Sequence, residues 1–175
     1  MTTRYPILRH RELRPRLRWS AWRQRHAPLV AQAGEILVHE IDGNHRTGAV
    51  DPARATAVTL VDVRPDVQLF ATWHLTTSDS AARFPVRVTY HCTVMDPVTV
   101  VRGRRTGLWD PSWVLAQDPR PHHLHARHPE GDENGLRRSL TALLSPSPAP
   151  PLPGIRVELG HVDVGSAWPN DIDEA

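Results

Sequence analysis

The chain has 175 residues, enough for one domain with a modest core, and its 17 prolines argue against a compact helical bundle. No apolar run approaches the roughly 20 residues of a membrane-spanning helix, no apolar stretch of signal-peptide type follows the basic N-terminus, and a single cysteine, Cys92, excludes an internal disulfide. The net charge of +2 conceals an asymmetry: residues 1–26 hold eight Arg against one acid, Glu12, a balance of +7, while the rest stands at −5.

All 21 basic residues are Arg, which is more simply a property of a GC-rich coding sequence than a sign of Arg chemistry. The basic stretch contains RPRLRWSAWRQRHAPLVAQAG (14–34). A helix is expected after Pro15, with Trp19 and Trp22 on one face among Arg16, Arg18, Arg23 and Arg25, and with Gly34 as its stop. These six residues are the candidate contact with an anionic surface. Three readings stand side by side: an interfacial helix with Trp at the headgroup level, a nucleic-acid arm lacking any base-reading motif, or an arm packed on its own domain. Nucleic acid is the least favoured partner.

GEILVHEI (34–41) reads as a strand and DGNHRTGAVDPARA (42–55) as a turn or loop. AVTLVDVR (57–64) is a β-branched run. In DVQLFATWHL, Val67, Leu69, Ala71, Trp73 and Leu75 share one face. After the Ser78-Asp79-Ser80 turn, Phe84, Val86, Val88, Tyr90, Cys92 and Val94 again share one face. This is the pattern of antiparallel strands buried on one side, closed by Asp96-Pro97. Cys92 lies on the apolar face and reads as a structural thiol.

Residues 102–134 are broken by Pro111, Pro119, Pro121 and Pro129 and are expected to be an irregular loop, with a short helix at 113–117. Within it HHLHARH supplies His122, His123, His125 and His128, candidate metal ligands by residue type. The competing reading is an exposed polar loop, since no Cys is near and the prolines work against a fixed tetrahedron. A triad of Ser78, Asp79 and His74 can be written down, but no nucleophile elbow or phosphate-binding loop accompanies it. Leu136, Leu140, Leu143 and Leu144 then predict a helix, with Asp132, Glu133 and Asn134 at its start. SPSPAPPLPG is a stiff connector, and IRVELGHVDV (155–164) is a final strand with Gly160 as a candidate bulge. The tail from 166 is acidic.

The expected class is therefore α+β, a mostly antiparallel sheet with one or two packed helices. The organisation is an arm or helix at 1–33, a domain at 34–165 and a tail at 166–175.

The stretch 61–101 resembles the signature of the SPFH or band 7 domain shared by stomatins, prohibitins and flotillins. The matching elements are Val61-Asp62-Val63-Arg64, the Leu75-Thr76-Thr77-Ser78-Asp79 turn, the alternating strand from Val86 to Val94, and Asp96-Pro97. GLRRSLTALL with PGIRVELGHVDV resembles the closing helix and strand of that family, and GEILVHEIDGNHRTGAVDP its opening strand and turn. An Arg/Trp arm stands where members carry a membrane-inserting segment. The family's longer helical middle is replaced by the Pro/His-rich stretch, and its coiled coil has no counterpart. The resemblance implies a scaffold or oligomerisation module without catalytic activity or cofactor, cytoplasmic and peripheral to a membrane, acting by self-association or with a protein partner. No small-molecule substrate is indicated. The alternative is an accessory subunit whose 102–134 loop and Pro-rich connector are ordered by a partner. A His-loop metal protein is the minor alternative.

Overall fold

The structure is a computed structural model that describes residues 5–13, 29–51, 54–103, 110–146 and 151–169. It is an α+β arrangement of two antiparallel sheets with three helices among the described residues. The chain divides into two compact units that interleave in sequence. One comprises 1–65, 93–109 and 153–156, the other 66–92, 110–152 and 157–175. The boundary therefore runs through the expected 34–165 domain and leaves it as parts of two units.

The first unit holds a sheet in the order β1-β4-β2-β3, where β1 is Ile7–Glu12, β2 is Glu35–Ile41, β3 is Asn44–Thr47 and β4 is Ala57–Asp62. β4 is paired on both edges and every one of its residues is buried. That is why its sequence, AVTLVD, is a continuous run rather than an alternation. Two elements depart from the sequence expectation. β1 lies inside the stretch expected to be an arm or helix, because its backbone is claimed by β4 from Ile7↔Val61 to Glu12↔Ala57. β3 lies inside the expected loop: Asp42 and Gly43 both take positive φ, 50° and 76°, so the Asp-Gly pair makes a two-residue hairpin turn between Ile41 and Asn44.

Asp96-Pro97 does end a strand, and it also begins helix α1 (Pro97–Gly103). Asp96 Oδ1 accepts from the N–H of Val98 and Thr99, and Thr99 Oγ1 donates to Asp96 Oδ2 at 2.6 Å. Proline at the first helical position loses no bond there.

The second unit is built on the sheet order β5-β6-β7, with β5 Val67–Thr76, β6 Ala82–Val94, β7 Ile155–Val164, and a two-residue β8, Trp168–Pro169, paired to β6 at Ala82 and Arg83. β5 and β6 pair without a break from Val67↔Cys92 to Thr76↔Arg83. The alternation predicted for both strands is the burial pattern observed, odd-numbered on β5 and even-numbered on β6 facing inward. Leu75, Phe84, Val88 and Cys92 are completely buried there, together with Leu115 and Leu140. Along β7 the buried phase passes from Ile155 to Val162 and Val164, so it slips across Gly160. A Cβ on Gly160 would stand 2.6 Å from the His91 ring and 3.1 Å from the Thr89 carbonyl. The glycine is where β7 makes room for His91.

The stretch expected to be an irregular loop is instead largely regular over its described parts, 102–103 and 110–134. α2 (Pro111–Ala116) starts on Asp110, whose Oδ1 accepts from Ser112 N–H at 2.9 Å. A 3-10 turn, Arg120–Leu124, follows. Proline at the start of each element is compatible with helical φ and needs no donor. α3 (Glu133–Leu144) buries Leu136, Leu140 and Leu144. Its N-cap is Asp132, which accepts from Gly135 N–H at 3.1 Å.

Candidate functional surface and the histidine segment

The motifs singled out in the sequence turn out to be places where distant backbone segments lock together. Asp62 is 1% exposed. It accepts Arg64 N–H at 3.0 Å and the Arg64 guanidinium at 2.6 Å. These hydrogen bonds push the already high Arg64 pKa further up. The Arg64 stem crosses Gly34, which has φ +82° and no room for a Cβ, and Gly34 O accepts from Val63 N–H at 2.8 Å. Asp118 and Arg120 repeat this fork with the same 3.0 and 2.6 Å contacts. Both forks sit in a D-x-R-P tetrapeptide, 62–65 and 118–121, a repeat that was visible in the sequence. The Asp96-Pro97 and Pro153-Gly154-Ile155 motifs also meet: Gly154 O accepts from the N–H of Met95 and of Asp96 at 2.8 and 3.1 Å.

The third meeting is between LTTSD and HHLHARH. Thr76 N–H donates to His125 Nδ1 at 3.1 Å. Ala126 N–H donates to Thr76 O at 3.0 Å, and Ser78 N–H to His128 O at 2.8 Å. An acceptor role at Nδ1 requires His125 to carry its proton on Nε2. That proton then points at His122 Nδ1, 2.8 Å away, with the two rings stacked at 5.0 Å. Desolvation first, then the charges of His122 and Arg83, lowers the His125 pKa from 6.5. His128 belongs to a separate pair. Its Nδ1 is 2.8 Å from Asp132 Oδ2, and that hydrogen bond is the main cause holding the Asp132 carboxyl below its usual range. His123 is exposed and joins neither pair. The four histidines therefore form two separate contacts plus one exposed ring. Among the described residues no group of three or more His, Cys, Asp or Glu is placed to hold a metal ion. The His125 ring and the His128 backbone carbonyl tie 122–132 to the β5–β6 turn.

The turn itself is internally satisfied. Thr77 is buried and its hydroxyl donates to Asp79 Oδ1 at 2.5 Å, which is the first cause of a lowered Asp79 pKa. Asp79 is thus engaged with Thr77 and Ala81 N–H, while His74 packs against Trp168, so the paper triad with Ser78 is not assembled. Cys92 is buried, and burial pushes its thiol up to about 12, keeping it protonated and unreactive.

What the second unit does hold out is the other face of the β5–β6 hairpin. Phe70 is 40% exposed and Arg87 stacks over it, Cζ 3.9 Å from the ring centroid. His74 and the 40%-exposed Trp168 stand 5.4 Å apart, tilted by 57°. Gln68 and Thr72 complete the exposed row of β5. The sequence marked this face by its alternation, but the two ring pairs depend on the cross-strand register and on β8, which no local pattern announces.

The arm residues Arg16, Arg18, Trp19, Trp22, Arg23 and Arg25 lie outside the described residues. Among the described residues, no helix is long and apolar enough to cross a membrane. No family model matches this chain, and neither the curated proteins nor the solved structures contain a match to it.

Proposed function

We propose that the chain is a non-catalytic SPFH/band 7-like scaffold or oligomerisation module that acts through surface rather than through a pocket, and that it sits at a membrane periphery by way of its Arg/Trp arm. The observation that carries this reading is the outer face of the β5–β6 hairpin. Two pairs, Phe70 with Arg87 and His74 with Trp168, hold aromatic and cationic groups in defined positions toward solvent. Aromatic residues and Arg are the types that anchor protein interfaces, and groups already stacked lose less freedom on binding. The same strands carry the family-like alternation, and the motifs on which the resemblance rests act as joints of the fold, as a scaffold would require. The test is size-exclusion with light scattering on the full chain, with and without anionic liposomes. The reading expects a species heavier than one chain, or co-migration with lipid that replacing Arg16, Arg18, Arg23 and Arg25 by Ser abolishes while β1 is kept. A monomer at high concentration that ignores lipid overturns it.

A further inference from the structure

The sheet of the first unit, β1-β4-β2-β3, has two unlike faces. Its register fixes which residues share a face, since partners across a ladder point the same way. His10, Thr59, Val38 and Thr47 make one cross-strand row, and the 2.8 Å contact of His10 Nδ1 with Thr59 Oγ1 agrees with it. On that face Val61, Thr59 and Val38 are no more than 1% exposed. Helix α1 packs against β2 and β3. The buried residues of those two strands, Val38 and His45, are both on this same face, so it is the side that α1 covers.

The neighbouring row belongs to the opposite face and is basic. It runs Arg11, Val58, His39, Arg46, one residue from each strand. Arg9 shares that face two residues back along β1, opposite Leu60. With strands about 4.8 Å apart and a rise of about 3.4 Å per residue, the row is about 14 Å wide and Arg9 stands about 7 Å from it. Arg9 and Arg46 are exposed and enter no ion pair among the described residues. Arg11 and His39 are half-buried between them. The acids on this face, Glu35 and Asp62, face each other at its far end and are both engaged. Glu35 accepts from Gln32 N–H at 2.9 Å, and Asp62 from Arg64 at 2.6 Å. Three arginines and a histidine therefore form a broad basic field with no acid among them.

We propose that this face of β1-β4-β2-β3 is a second membrane contact, and that Arg9, Arg11 and Arg46 bind the phosphate-bearing headgroups of an anionic lipid surface. The proposal rests on the membrane-peripheral reading above and adds residues outside the arm to it. Three features favour lipid as the occupant. The field is spread over four strands, which suits a plane of charge better than a single anion. No Phe, Tyr or Trp stands on this face to stack a base, as single-stranded nucleic acid would require. And β1 runs in sequence straight into RPRLRWSAWRQR (14–25), the stretch already read as meeting the membrane. Each arginine within reach of an anionic leaflet contributes roughly fivefold to partitioning, and the attraction fades over roughly 8 Å at physiological salt. Arg9 and Arg46 sit on the two outer strands, so together they set the width of the field.

The experiment is co-sedimentation of the full chain with phosphatidylcholine vesicles, with and without about a third of phosphatidylserine, at low and high salt. The wild type is expected to bind only the anionic vesicles, and more weakly at high salt. Arg9→Ser combined with Arg46→Ser should weaken that binding roughly 25-fold. Arg9→Lys combined with Arg46→Lys keeps both charges and should stay within about threefold of the wild type. Urea midpoints equal to the wild type show that the fold is intact. Should the serines lower the midpoint, Arg9→Gln with Arg46→Gln keeps the stems and repeats the measurement. A face variant that binds like the wild type, while replacing Arg16, Arg18, Arg23 and Arg25 by Ser abolishes binding, overturns the face contact and spares the membrane reading. A lysine pair as weak as the serine pair also overturns it. A wild type that ignores anionic vesicles removes both, and a mass above one chain then still supports the scaffold. An oligonucleotide or inorganic phosphate bound as tightly as the vesicles, with the same loss in the serine pair, overturns lipid as the occupant.

Discussion

Strands β5 and β7 flank the same central strand of the second unit, yet they treat their outer edges in opposite ways. β7 carries Arg156, Glu158 and Asp163 and slips phase at Gly160, and Gly165 N–H is tied to Pro85 O at 2.9 Å. It is fitted to β6 and made unattractive to anything else. β5 is straight in register over ten pairs and uncharged, and the chain itself flanks it: α2 packs close against it, and His125 and Ala126 bond to its last residue. Long, regular, uncharged edges are a hazard in a chain meant to stay alone. The difference teaches that charge on an edge strand is informative when weighed against the other edges of the same fold.

The contrast can be broken at its base by removing the inward anchor of β5. Leu75 is 0% exposed, and Leu75→Ala should cost about 2–5 kcal/mol in urea unfolding. A loss under about 1 kcal/mol would mean the odd-numbered face is not the buried one. A smaller effect is expected at the β7 side. Gly160→Ala forces a Cβ to 2.6 Å from the His91 ring, and should cost about 1–3 kcal/mol. The double variant with His91→Ala should recover much of that loss. If it does not, the Thr89 carbonyl at 3.1 Å is the obstacle instead.

The closed end of β5 should respond to pH. Burial and neighbouring positive charge lower the His125 pKa below 6.5, so the unfolded chain takes up a proton first on acidification. Stability is expected to fall as pH drops below about 6.5 and to level off once the folded histidine is protonated. His39, lowered by burial, acts in the same direction and remains in every variant. His125→Asn keeps an acceptor for Thr76 N–H but cannot titrate, so it should flatten part of the slope, read from urea midpoints between pH 7.5 and 5. His125→Ala should also flatten it, and cost about 1 kcal/mol more at neutral pH through the lost hydrogen bond. The smallest effect is expected on the exposed row of β5: Thr72→Val, which keeps a β-branched side chain and puts no like charge opposite Arg87, should shift stability by no more than about 0.5 kcal/mol. A larger loss would show that position 72 is packed rather than free.

Legibility followed burial. β5, β6, β7 and α3 were readable because each has an apolar face with a period, and β4 because a strand buried on both faces is a continuous apolar run. β1 and β3 were not, because LRHRE and NHRT have no such face and owe their conformation to a neighbour's backbone. Reading proline as a breaker hid α1 and put the start of α2, expected at 113–117, two residues late. Asp96-Pro97 and Asp110-Pro111 are cap and first-turn pairs, a signal available in the sequence and overlooked. The histidines were legible as a cluster but not as a contact. Their partners in the chain, Thr76 and Ser78, lie about fifty residues away, a separation no local pattern spans.

By itself the amino-acid sequence determined which faces are apolar, where most strands run and that the class is α+β, since those follow from side-chain periodicity and transfer of apolar groups from water. Only the tertiary structure decided that the Pro/His-rich stretch is a folded clasp on the β5–β6 turn. It also decided that Phe70 meets Arg87 and His74 meets Trp168, and that α2 packs against β5. Those outcomes depend on register and strand order, and backbone hydrogen bonds carry no residue code from which either could have been read.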